Sequence, residues 1–150
     1  VGIETIKLLI TPEALTTNDK DGNTPLHSAI EKRWYGINII KLLKLLITPK
    51  ALTTQDKKGR TPLRYALRYR CIGIDTIKLL MAPEVLTTQD KKGRTPLHYA
   101  LSENLDVKTI EQLITPEVLT MVNDDGLTPL QCANWKELDD EIINSLTPSE

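Results

Sequence analysis

One six-residue phrase occurs four times in this chain, and its spacing leaves few folds open. Thr24-Pro-Leu-His-Ser-Ala29 returns as Thr61-Pro-Leu-Arg-Tyr-Ala66, as Thr95-Pro-Leu-His-Tyr-Ala100 and as Thr128-Pro-Leu-Gln-Cys-Ala133. The starts lie 37, 34 and 33 residues apart. A second block keeps the same phase: Gly2-Ile-Glu-Thr-Ile-Lys-Leu-Leu-Ile10 matches Gly73-Ile-Asp-Thr-Ile-Lys-Leu-Leu-Met81, and Gly36 to Ile47 is the same block with three extra residues. All nine prolines and all seven glycines obey this phase. Pro25, Pro62, Pro96 and Pro129 follow the Thr of the first phrase, and Pro12, Pro49, Pro83, Pro116 and Pro148 follow the second block. Gly22, Gly59, Gly93 and Gly126 stand two residues before the Thr, while Gly2, Gly36 and Gly73 open the second block. A unit of this length cannot bury a hydrophobic face alone, so the chain must stack its copies.

The local chemistry of each copy follows from those landmarks. Asp19-Lys-Asp-Gly22, Asp56-Lys-Lys-Gly59, Asp90-Lys-Lys-Gly93 and Asn123-Asp-Asp-Gly126 are turn sequences, because Asx side chains bond nearby backbone and Gly accepts positive φ. Each Thr then caps a short helix whose first position is Pro, where a missing N–H costs nothing. In the first copy that helix is expected from His27 to about Lys32. The motif alanines keep it thin, so neighbours approach closely. The second helix carries apolar residues around more than one face, as Ile74, Ile77, Leu79, Leu80 and Met81 show, and it must stop before the next Pro. Thr11, Thr48 and Thr115 look like fresh caps that open one more turn, and Ala82 predicts a weaker cap in the remaining copy. The three extra residues before Ile47 predict a longer second helix, by about one turn.

Composition narrows the class. Aromatics are 4% of the chain and Phe is absent, so the core rests on Leu, Ile and Ala. The longest apolar stretch, Ile37 to Ile47, is broken by Lys41 and Lys44 and falls short of a membrane span. Cys71 and Cys132 form no Cys-x-x-Cys pair and no disulfide framework, which suits reduced thiols in the cytoplasm, or in a host-cell cytosol for a secreted effector. No secretory leader pattern is visible, and the chain starts at Val1, which we read as a trimmed piece.

With its Asp-x-x-Gly-x-Thr-Pro-Leu-His-x-Ala phrase and period near 33, the chain resembles an ankyrin-repeat array over nearly its whole length. The resemblance implies an all-α solenoid of stacked helix-turn-helix units with hairpin loops projecting to one side. Residues 1–150 form a single array: 1–18 a second helix alone, 19–55, 56–89 and 90–122 full repeats, and 123–150 a terminal or truncated repeat. Thr/Ala-Pro-Glu/Lys replaces the Gly-Ala pair with which such repeats usually end, and Arg64 and Gln131 stand where His is usual. His27 and His98 are read as structural, bonding backbone between hairpins. Asp139, Asp140 and Glu141 are expected on a solvated face opposite Leu138, Ile142, Ile143 and Leu146, as in a polar end cap. Because 146–150 repeat the inter-repeat connection, we expect a fragment of a longer array.

No catalytic motif survives inspection: there is no phosphate loop, His-Glu-x-x-His or Gly-x-Ser-x-Gly sequence. A Cys132–His98 pair is conceivable, yet core packing explains both residues. We therefore expect no enzyme, no cofactor and no metal. The resemblance implies a concave binding face made from hairpin tips and first helices. Carried across by position, the adaptable residues are Lys20, Asp21, Asn23, Glu31 and Lys32, then Lys57, Lys58, Arg60, Arg68 and Tyr69, then Lys91, Lys92, Arg94, Ser102 and Glu103, then Asp124, Asp125, Leu127, Trp135 and Lys136. The net charge of −1 hides a basic middle and an acidic end. Lys57, Lys58, Arg60, Arg68, Tyr69, Lys91, Lys92 and Arg94, with Asp124, Asp125, Leu127 and Trp135, are the candidate partner-binding residues. The expected function is a scaffold, acting as a monomer, that holds another protein by an acidic segment. Nucleic-acid or polyphosphate binding by the same basic patch is the alternative, with thin aromatic support from Tyr65, Tyr69 and Tyr99. A third reading is the substrate-recruiting module of a larger enzyme.

Overall fold

A computed structural model of the chain describes residues 3–32, 39–69, 73–135 and 140–147. Among these, every regular element is helical. In order they are α1 (Ile3–Leu9), a short 3-10 turn (Ala14–Thr16), α2 (Pro25–Glu31), α3 (Ile39–Leu46), α4 (Pro49–Thr53), α5 (Pro62–Arg68), α6 (Ile74–Leu80), α7 (Pro83–Leu86), α8 (Pro96–Ser102), α9 (Val107–Leu113), α10 (Pro116–Thr120), α11 (Pro129–Trp135) and α12 (Asp140–Leu146). None of them is long and apolar enough to cross a membrane.

The chain forms two compact units, residues Val1–Met81 and Ala82–Glu150. In the first, α2 packs on α5, each first helix packs on its own second helix (α2 on α3, α5 on α6), and α1 packs on α3. In the second, α8 packs on α11, α9 on α12, and the within-repeat pairs are α8 with α9 and α11 with α12. First helices therefore stack on first helices and second on second. The motif residues line those contacts: Leu26, Leu63 and Leu97 are buried, as are Ala29, Ala66, Ala100 and Ala133. A methyl side chain at the motif Ala is what permits the close approach.

The first helices start at the motif Pro, not two residues later as expected for the first copy. Thr24, Thr61 and Thr95 sit in extended backbone as N-caps, and the fixed φ of Pro begins the helix at once. The second helix of the first full repeat ends at Leu46, three residues past the point that corresponds to Leu80 in α6, so the inserted residues extend the helix.

The short connecting helices show what their caps do. Oγ1 of Thr48 accepts from the Ala51 N–H at 3.0 Å and that of Thr115 from the Val118 N–H at 3.2 Å. Thr11 accepts from Ala14 at 3.1 Å. Ala82 adopts the same extended backbone, φ −132° and ψ 150°, but has no side chain to accept a bond, and α7 is four residues long against five in α4 and α10. Replacing Ala82 with Thr should therefore raise stability by about 1 kcal/mol, read as a shift in a urea midpoint at constant slope. No gain would mean that Ala82 cannot place a hydroxyl over the Val85 N–H.

In α1 Leu8 and Leu9 are uncovered. Leu9 corresponds to Leu43 and Leu80, which are 0% exposed, yet it is 72% exposed itself. At the other end of the described chain Ile142 and Leu146 are buried while Asp140 and Glu141 are exposed. Asp139 and Leu138 lie outside the described residues.

Candidate functional site

Four turns, two in each unit, share one internal plan. In each, the first Asx side chain accepts two backbone N–H groups through one oxygen. Asp19 Oδ1 takes Asp21 and Asn23 at 2.8 and 2.9 Å, and Asp56 Oδ1 takes Lys58 and Arg60, both at 2.8 Å. Asp90 Oδ1 takes Lys92 and Arg94 at 2.9 and 3.1 Å, and Asn123 Oδ1 takes Asp125 and Leu127, both at 3.0 Å. The turn closes through the Gly N–H onto the Asx carbonyl at 2.9–3.0 Å, with Gly φ between 68° and 83°.

Adjacent turns within a unit are tied directly. Lys57 N–H donates to the Asp21 carbonyl at 3.0 Å, and Asp124 N–H to the Lys92 carbonyl at 3.1 Å. The motif histidines add a second tie. Thr24 N–H donates to His27 Nδ1 at 3.2 Å, so Nδ1 is the acceptor and Nε2–H donates to the Arg60 carbonyl at 3.0 Å. His98 repeats this, with Thr95 N–H on Nδ1 at 3.3 Å and Nε2 on the Leu127 carbonyl at 3.0 Å. Both histidines are structural. With both ring nitrogens of His98 used, neither is left as a base for Cys132, whose sulfur lies 3.7 Å from Asn123 Nδ2. Gln131, at the histidine position of the last copy, accepts from the Thr128 N–H at 2.8 Å and so keeps one of the two bonds.

Burial, the largest effect, pushes both histidines below their usual 6.5, against the opposing pull of the backbone carbonyls they bond. A base whose folded pKa is depressed stabilises the fold above its unfolded pKa, and that stability is lost as pH falls from 6.5 through the folded value. Each histidine can contribute a slope of at most ~1.4 kcal/mol per pH unit. Denaturant midpoints should fall between neutral pH and the top of the carboxylate range, and the paired change His27→Gln and His98→Gln should flatten that fall, as Gln131 shows the cap can be made without titration. An equally steep fall in the double variant would remove the histidines from the account.

The arginines of the turns are spent internally. Arg60 donates to Asp56 Oδ2 from Nε at 2.7 Å and its Nη2 lies 2.6 Å from the same oxygen. Arg60 also donates to the Tyr65 hydroxyl at 2.7 Å and stacks over that ring at 4.7 Å. The Tyr65 proton is shared between Asn23 Oδ1 at 2.8 Å and Asp56 Oδ2 at 2.9 Å. Burial alone would raise the Asp56 pKa, but the Arg60, Tyr65 and backbone bonds outweigh it and hold the carboxyl below its usual 3.8. Arg94 is paired in the same way, with Asp90 Oδ2 at 2.8 Å.

The remaining candidates divide by exposure. Lys57, Lys58, Lys91 and Lys92 are exposed at the turn tips, as are Asp124 and Asp125. Arg68 is exposed at the end of α5, its guanidinium 6.0 Å from the Tyr69 ring. Tyr69 is half-buried, and its hydroxyl reaches Glu31 of α2 at 3.5 Å, so an acid sits among the basic residues there. Leu127 is half-buried and holds the His98 bond. The Trp135 side chain, Arg70, Cys71 and Lys136 lie outside the described residues. A cavity of about 290 Å³ in the second unit, which sequence reasoning did not anticipate, brings together Arg94, His98, Leu127 and Cys132. Among the described residues no three His, Cys, Asp or Glu side chains group as a metal-binding set.

The two basic turns are copies of each other. Leu52 to Leu63 and Leu86 to Leu97 share the sequence Leu-Thr-Thr-Gln-Asp-Lys-Lys-Gly-Arg-Thr-Pro-Leu, and Gln55 and Gln89 each donate to the turn Gly carbonyl at 2.6 Å. Compared with known proteins, residues 2–88 and again 73–149 match a family described as ankyrin repeats in three copies. No curated protein matches the chain.

Proposed function

The chain belongs to the ankyrin-repeat family, whose arrays generally act as protein-interaction modules, and from that premise we propose that this one holds a partner protein by an acidic segment laid on its basic turn tips. One observation carries the reading. In both copies of the Gln-Asp-Lys-Lys-Gly-Arg turn the Arg is neutralised by the Asp four residues earlier, while the two lysines stand exposed. Each tip thus offers two positive charges to a partner at a place where the backbone is fixed by its own bonds. Complementary charge on exposed tips acts mainly on encounter rate and on the choice of partner. Arg68, exposed beside Tyr69 at the far end of α5, gives the first unit a further cation and an aromatic face.

The test is to reverse Lys57, Lys58, Lys91 and Lys92 to Glu together. None of these side chains takes part in the bonds that build the turns, so helicity should be unchanged while capture of an acidic partner falls by at least tenfold at low salt. Unchanged capture would sink the proposal. The same variant distinguishes the phosphate reading: loss of a salt-dependent gel shift with RNA, and no effect on protein capture, would favour that alternative.

A further inference from the structure

The cavity in the unit Ala82–Glu150 lies between two consecutive turns and the first helices that follow them, and its walls can be sorted by what their polar groups already do. His98 has both nitrogens bonded, to Thr95 and to the Leu127 carbonyl. Arg94 places Nε and Nη2 on Asp90 Oδ2 at 3.1 and 2.8 Å, so its charge is cancelled within its own turn. Asn123 spends its Oδ1 on the Asp125 and Leu127 N–H groups. Ser102 donates its hydroxyl to the Tyr99 carbonyl at 2.9 Å, the Cys132 sulfur faces Asn123 Nδ2 at 3.7 Å, and the Leu127 side chain supplies apolar wall. That leaves Asp125, which lines the cavity, is exposed, and has only its backbone N–H engaged in the turn. Its neighbour Asp124, also exposed, lies against Gly93 of the preceding turn.

A largely apolar slot of this size, lined by one exposed carboxylate, has the chemistry of a long cationic side chain. Lys and Arg lay their methylene stems along apolar surface and keep the charged head at the rim, where an acid can meet it. We propose that this cavity takes the side chain of a lysine or arginine from the bound partner, with the stem against Leu127 and Cys132 and the head at the Asp125 carboxylate. The inference rests on the reading of the basic tips as the seat of an acidic segment. The turn Asp90–Arg94, with Lys91 and Lys92 exposed, is bonded directly to the turn that carries Asp125. A partner strand that crosses from one to the other should therefore change from acidic to basic.

Two probes test it on the intact chain. The first is a fluorescein-labelled oligoglutamate peptide ending in Gly-Gly-Arg, compared with the same peptide ending in Gly-Gly-Leu or Gly-Gly-Glu, by anisotropy. The arginine peptide should bind ~2–5-fold more tightly than either, the range an exposed ion pair gives, and Asp125→Asn should bring all three to parity. Equal binding, or tighter binding of the leucine peptide, overturns the proposal. The second probe needs no acidic anchor. Acetyl-arginine amide should slow the carboxamidomethylation of Cys132, followed by peptide mass mapping, more than acetyl-leucine amide does, and Asp125→Asn should abolish the difference. If oligoglutamate fails to bind while acetyl-arginine amide still protects Cys132, the acidic-segment reading falls and the cavity assignment stands. If oligoglutamate binds with no arginine preference and Cys132 is not protected, the cavity assignment falls alone.

Discussion

Gly93→Ala is expected to destabilise the protein by about 3–4 kcal/mol, whereas Gly126→Ala costs only about 1–2 kcal/mol. The two glycines have nearly the same backbone, φ 68° and 73°, so the strain of placing a Cβ in the left-handed region is common to both. Their surroundings differ. A Cβ on Gly93 would stand 2.7 Å from both the backbone nitrogen and Oδ1 of Asp124, while a Cβ on Gly126 meets nothing within 4 Å. Relief of that clash requires the two turns to part, and the Asp124 N–H bond to the Lys92 carbonyl goes with them. Gly22 repeats the case in the first unit, where its Cβ would be 2.8 Å from the Lys57 nitrogen. Urea denaturation of the two single variants decides the matter. Equal losses would show that conformational strain is the whole cost and that close approach of the turns contributes nothing.

Asp56→Ala should be of similar size, about 3–4 kcal/mol, or a fall of about 6–16 °C in Tm. Asp56 is 6% exposed, and its two oxygens serve four donors: the Lys58 and Arg60 N–H groups, the Arg60 guanidinium and the Tyr65 hydroxyl. Removing it leaves a half-buried guanidinium uncompensated and unbinds the turn at once. Asp56→Asn separates the two losses. Asn123 makes both backbone bonds of its own turn with an amide oxygen, so Asn at 56 keeps the turn and forfeits the ion pair with Arg60 and the acceptor of the Tyr65 hydroxyl, at about 2 kcal/mol. Should Asn prove as damaging as Ala, the ion pair with Arg60 would carry the turn, and the backbone bonds would be secondary.

These two cases also show how far the sequence could be read. The phase of Gly and Pro placed every turn and every first helix, because Pro fixes φ and Gly alone takes positive φ at little cost. The cap at Thr48 and its absence at Ala82 were legible for the same reason. So was the structural part of His27 and His98, since two histidines in separate repeats make no ligand set. The state of the arginines was not. Arg60 and Arg94 look like free cations in a basic run, and only the folded turn brings the guanidinium back onto an Asp four residues earlier. The network around Tyr65 reaches Asn23, 42 residues away, and no local pattern announces it. Leu127, read as an adaptable contact residue, supplies the carbonyl that His98 grips. The cavity was hidden because it lies between two consecutive copies, and its sulfur wall comes from Cys132, where the other copies have Ser28, Tyr65 and Tyr99.

The exposed charge that the two identical turns keep is their four lysines. Amide chemical-shift mapping with an oligoglutamate peptide at low salt tests that claim most directly. Perturbations should concentrate at Lys57, Lys58, Lys91 and Lys92, weaken as salt is raised, and vanish in the variant with all four reversed to Glu. Shifts that ignore these residues, or that persist undiminished after the reversal, would contradict the assignment of the basic turns as the seat of an acidic partner.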